Sequence, residues 1–178
     1  MKINKISFAK VWTIVILLAV AYGFLGYAKS ILARDDQIAQ FKQQLIKSMK
    51  DVVMIAIGLA DYITDNGIAP TQDGTYKVGN GFYNKLSPFY VKKLPVKDPW
   101  GGTYLVYCGL AANGKYGIKN CQEDDFVVVC LGRDGKKDSW EWNESNPEGG
   151  IFELWSLADF DKDLVMWNGS WVRAPASK

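Results

Sequence analysis

Residues 11–27 read VWTIVILLAVAYGFLGY, and an apolar stripe then continues through Ile31, Ile38, Phe41, Leu45, Met49, Val52, Ala56, Leu59 and Ile63. The first stretch has 17 residues and no charge, at the lower edge of the roughly 17 to 25 that cross a bilayer as a helix. The second keeps spacings of three, four and once seven, the signature of one helical face. Together they predict a single helix from about Val11 to Asn66, roughly 80 Å long at a rise of about 1.5 Å per residue. Asn66-Gly67 supplies the stop, because glycine tolerates the left-handed conformation in which helices end, and Pro70 prevents resumption. Lys2, Lys5 and Lys10 precede the apolar run, whereas Lys29, Arg34, Asp35 and Asp36 follow it. That charge bias places the N-terminus in the cytoplasm and the rest of the chain outside a cytoplasmic (inner) membrane, crossed once. Ala28-Lys29-Ser30 is a poor cleavage site for a secretory signal. The expected division is 1–10 cytoplasmic, 11–27 transmembrane, 28–66 amphipathic stem, and 67–178 an outward β domain with an insertion near 136–158. Ala19, Ala21, Gly23 and Gly26 offer a surface on which other membrane helices approach closely.

Composition narrows the function. A chain of 178 residues holds one domain plus an anchor. Its 21 basic and 19 acidic residues leave a net charge of +2, too small and too dispersed for the positive field that holds nucleic acid. There is no histidine, the side chain that most often moves protons near neutral pH and most often ligates transition metals. No pair of carboxylates is marked out as a catalytic couple, so the chain is not expected to be an enzyme.

After Gly67 the helical period gives way to short apolar runs divided by Gly, Asn, Asp and Pro, the punctuation of a small antiparallel sheet. Strands are expected near Thr103–Cys108, Phe126–Leu131 and Leu164–Val172, which with the long helix makes an α+β fold. In Asp98-Pro99-Trp100-Gly101-Gly102, proline fixes one backbone angle, its predecessor is pushed toward an extended form, and the glycines permit a tight turn. This motif reads as architecture, with Trp100 packing over the helix. Of the three cysteines, Cys108 and Cys121 bracket a glycine-bearing loop, and a disulfide closing it is favoured, with either pairing to Cys130 left open. Trp140, Trp142, Trp155, Trp167 and Trp171 crowd the C-terminal part. Packing is the default role of such rings, and a sugar-binding surface is the alternative.

Three ordered segments, Lys97-Asp98-Pro99-Trp100-Gly101-Gly102-Thr103-Tyr104, Phe126 to Gly135 and Asp161 to Gly169, resemble the C-terminal domain of the type II secretion system major pseudopilin family (general secretion pathway protein G) across roughly residues 60 to 170. The resemblance implies a pilin-like fold and a mechanical role in protein secretion. The implied partners are other pseudopilin or secretion-system subunits and further copies of the chain. Family members carry a Gly-Phe-Thr-like site for the prepilin peptidase and a glutamate at the fifth mature position. Neither is present here, and no carboxylate precedes Asp35, so an uncleaved signal anchor is expected. The resemblance also implies a calcium ion between Leu131-Gly132-Arg133-Asp134-Gly135 and Asp161-Lys162-Asp163-Leu164. Its ligands would be Asp134, Asp161 and Asp163 with the carbonyls of Leu131 and Arg133. The competing expectation is neutralisation of these aspartates by Lys136, Lys137 or Lys162. Two functions follow as expectations: a membrane-anchored structural subunit of a secretion or type IV pilus-like apparatus, or a tethered envelope module that binds sugar or protein through its tryptophans.

Overall fold

The long helix predicted from periodicity is α1, Phe8–Asn66. The computed structural model describes the backbone of residues 8–176, with side chains from Tyr22 onward except at positions 25, 26, 28 and 30. The chain divides into two units, Met1–Phe41 and Lys42–Lys178.

In the first unit the described apolar side chains Tyr22, Phe24, Tyr27, Ile31 and Leu32 are exposed. Among the described residues no helix is long and apolar enough to cross a membrane. Most side chains of the expected 11–27 span, and most of the expected cytoplasmic stretch 1–10, lie outside the described residues.

In the second unit the remaining turns of α1 are covered on one face. Leu45, Val52, Ala56 and Leu59 are buried as the stripe predicts, and Ile55, Ser48 and Asp51 join them. Gly58 lies where Val91 approaches the helix so closely that a methyl group would overlap the valine Cγ2. α1 stops where expected: Gly67 has φ +75°, and its N–H donates to the carbonyl of Ile63 at 2.7 Å, satisfying one of the last helical acceptors.

The sheet contains β1 (Asp73–Thr75), β2 (Leu105–Cys108), β3 (Phe126–Cys130), β4 (Ile151–Phe152), β5 (Leu164–Trp167) and β6 (Ser170–Pro175) in the order β1-β2-β3-β5-β6-β4. A short helix, α2 (Gly81–Leu86), lies between β1 and β2 and is capped by the side chain of Asn80. The structure departs from expectation in two respects. The sheet is mixed, because β4 pairs in parallel with β6 while the other pairings are antiparallel. The expected strand Leu164–Val172 is a hairpin, folded at Asn168-Gly169 with φ +47° and +80°, the two positive angles of a tight turn matched to strand twist. The segment 136–158, expected as an insertion, supplies β4 and so completes the sheet.

β3 is buried along its whole length, because both of its faces are covered. Side chains alternate along a strand. Val127 and Val129 therefore join a cluster with Ala112, Tyr116, Ile118, Cys121, Val165 and Val172, against which Trp140, Trp142 and Trp167 pack. On the opposite face Cys130 meets Ser48 of α1, and Met166, the partner of Val128, lies beside Val53, Ala56 and Ile57.

Candidate functional site

The Asp98 motif is a turn held by its own aspartate. The buried Asp98 carboxylate accepts from the N–H of Trp100 at 2.9 Å and of Gly102 at 2.8 Å, while Gly101 takes φ +96°. Gln44 on α1 donates through Nε2 to the carbonyl of Pro99 at 3.0 Å, which ties the turn to the helix. The ring of Trp100 meets Phe160, with centroids 6.4 Å apart. This is architecture, as its residue types suggest.

The two acidic segments converge, as the resemblance implies. Arg133 N–H donates to the carbonyl of Phe160 at 2.8 Å. At Gly132 a Cβ would stand 2.6 Å from the carbonyl oxygen of Asp161 and 2.8 Å from that of Lys162. Glycine is needed there twice over, since its φ is +66° and any side chain would meet backbone.

The three aspartates nevertheless do separate work. Asp161 receives a two-pronged contact from Arg133, Nε at 2.7 Å and Nη2 at 2.8 Å, the geometry in which guanidinium best matches carboxylate. Asp163 is fully buried, and its Oδ2 accepts from the hydroxyl of Tyr116 at 2.6 Å and the N–H of Asp138 at 3.1 Å. Burial pushes its carboxyl up to about 6, against the opposing influence of those hydrogen bonds. Asp138 pairs with Arg173. Asp134 is exposed and accepts from the N–H of Lys136 at 3.0 Å, a turn that closes on itself.

This arrangement does not fit a calcium ion, which takes roughly six to eight convergent oxygens. Asp161 is already matched by a guanidinium, and Asp163 faces a tyrosine hydroxyl. Among the described residues no group of three or more acidic, cysteine or histidine side chains is placed to hold a metal. The neutralising cations also differ from the expected lysines. Arg133 serves Asp161, Lys162 pairs with Asp159 at 2.7 Å, and Lys137 lies 4.7 Å from the centroid of the Tyr116 ring.

Cys108, Cys121 and Cys130 are free thiols, all buried, and the favoured Cys108–Cys121 bridge is not formed. Its loop is closed by backbone hydrogen bonds instead, Gly109 N–H to Asp125 O and Gly114 N–H to Ile118 O, each 2.7 Å. Burial raises the Cys108 and Cys130 thiols to about 12, so they are poor nucleophiles at neutral pH.

A cleft of about 730 Å³ opens between the segment Gly117–Asn120 and the insertion at Glu141–Ser145, with Trp142 and Trp167 in its wall. The two indoles meet edge to face, centroids 5.3 Å apart at 73°. Trp140 has a different place. The Arg173 guanidinium lies 4.9 Å from its ring centroid, and its ring closes against Gly150. Sequence reasoning named the tryptophan cluster but missed its sorting, because only the β5 register brings Trp167 to Trp142. It also missed Tyr116, Asp138 and Arg173 around Asp163, which come from segments far apart in the chain.

Comparison with protein-family models finds no match, and comparisons with curated proteins and with solved structures find none.

Proposed function

We propose that this chain is a membrane-anchored, pilin-like structural subunit that works in protein secretion by assembling with copies of itself or with related subunits. Its N-terminus would lie in the cytoplasm and its β domain outside the cytoplasmic membrane. The observation that supports this reading is α1 itself, 59 residues long. Within the first unit its described side chains Tyr22, Phe24, Tyr27, Ile31 and Leu32 are exposed, and exposed apolar surface marks a place for a partner. In the second unit Ile46, Met54 and Ile57 add exposed apolar side chains on the same helix. The absence of histidine and the burial of every thiol agree with a role in assembly.

Crosslinking tests the reading in cells. Single cysteines at Leu32, Ile46, Met54 and Ile57, placed in otherwise cysteine-free protein, are oxidised and the membrane fraction is sized. One cysteine joins two chains at most, so a homodimer at twice the chain's mass is expected from positions on one helical face. Monomers alone would overturn assembly, and a discrete band of any other mass would identify a fixed accessory partner.

A further inference from the structure

We infer that the cleft between Trp142 and Trp167 binds a neutral oligosaccharide, a function separate from assembly. Its volume of about 730 Å³ falls within the roughly 300–1,000 Å³ of small-molecule sites. Both indoles pack against the core cluster, and both residues line the cleft. Sugars carry patches of C–H on otherwise hydroxylated rings, and aromatic surfaces complement those patches.

The platform is fixed before any ligand arrives. Trp142 N–H donates to the carbonyl of Tyr116 at 2.7 Å. Gly117, at φ +76°, lies so near that a Cβ on it would stand 2.7 Å from the Trp142 carbonyl oxygen. Trp167 is held in β5 by pairing with Val127 on one side and Ser170 on the other. Preorganisation of this kind lowers the entropic cost of binding.

The rim selects the ligand class. Lys119, Asn120, Glu141 and Glu144 line it, providing donors and acceptors together, as hydroxyl groups require. Two carboxylates against one ammonium disfavour phosphate, sulfate and nucleic acid. A neutral polyhydroxylated chain uses both the indoles and this mixed rim. Trp140 shows what a tryptophan in the same insertion looks like when it is structural: its ring is occupied by Arg173 and Gly150.

The test uses the full chain in a sugar-free zwitterionic detergent, titrated with cellohexaose, chitohexaose and maltohexaose by calorimetry and tryptophan fluorescence. At least one is expected to bind saturably. Trp142→Ala should weaken that binding by about tenfold, the loss of one stacking contact, and Trp155→Ala, in an exposed ring outside the cleft, should leave it unchanged. Because Trp142 also packs on the core, a double variant, Lys119→Ala with Glu144→Ala, alters the rim at exposed positions. Weaker binding in either folded variant supports the site. No saturable binding of any of the three at millimolar concentration overturns it, as does unchanged affinity in both variants.

Discussion

The two faces of β3 are covered by different kinds of chain. One lies under α1, a regular element whose buried side chains recur every three or four residues. The other lies under the irregular run from Gly109 to Cys121 and under tryptophans drawn from the insertion and from β5. Each side also buries a carboxylate beneath a tyrosine hydroxyl. Asp51 accepts from Tyr104 at 2.9 Å and from Lys47, and Asp163 accepts from Tyr116 at 2.6 Å. On the helical side the cation is a neighbour one turn away on the same helix. On the other side Arg173, brought in by β6, pairs with Asp138 rather than with Asp163. A regular cover carries its partners with it in sequence, whereas an irregular one must recruit them through the fold.

Substitutions can break that comparison, beginning with the side expected to lose most. Leu59→Ala removes a fully buried side chain from the helical cover and should cost about 2–5 kcal/mol by the usual scale for leucine truncation. Leu32→Ala, exposed on the same helix, should alter unfolding by less than about 0.5 kcal/mol while reducing the dimer crosslinked through Ile46→Cys. Urea denaturation of the pair measures the first part, and equal losses would contradict the division of α1 into covered and exposed turns.

The irregular side should be the pH-sensitive one. Asp163 binds its proton more tightly in the fold, at about 6 against an ordinary 3.8. Between those values the folded state therefore holds more protons than the unfolded state, and stability from this group falls as pH rises through that window. Asp163→Asn keeps the acceptor for Tyr116 without the buried charge. Melting temperatures between about pH 4 and pH 6 should lose this component of their slope in the variant, and an unchanged slope would remove Asp163 as its source.

A smaller loss than that at Leu59 belongs to the fork between Arg133 and Asp161. Both side chains are about 30 % exposed, so Arg133→Ala should cost about 1 kcal/mol, near the upper end for a partly solvated pair. Calcium and chelator should leave the wild-type melting temperature alike. A calcium-dependent rise would mean that the ion displaces the guanidinium.

Legibility in the sequence follows the same division. α1, its end at Asn66 and β3 were readable because each depends on local period or on a glycine stop. The split of Leu164–Val172 into a hairpin was also written locally, in Asn168-Gly169, but the apolar run on either side masked it. β4 was not readable, since Ile151 and Phe152 acquire strand character only by pairing with Ala174 and Pro175. The acidic segments approach each other in the fold, yet their chemistry turned on Arg133, one residue from the aspartate that drew attention. The tryptophan cleft needed the strand register that sets Trp167 beside Trp142.

The ends of the sheet carry one more consequence. β1 has three residues and β4 two, so the unpaired backbone groups at either margin form too short a template to recruit another strand. Any protein at high local concentration is exposed to amyloid-like stacking wherever such a template is long. With both margins clipped, copies of this chain brought close together would be steered away from strand addition.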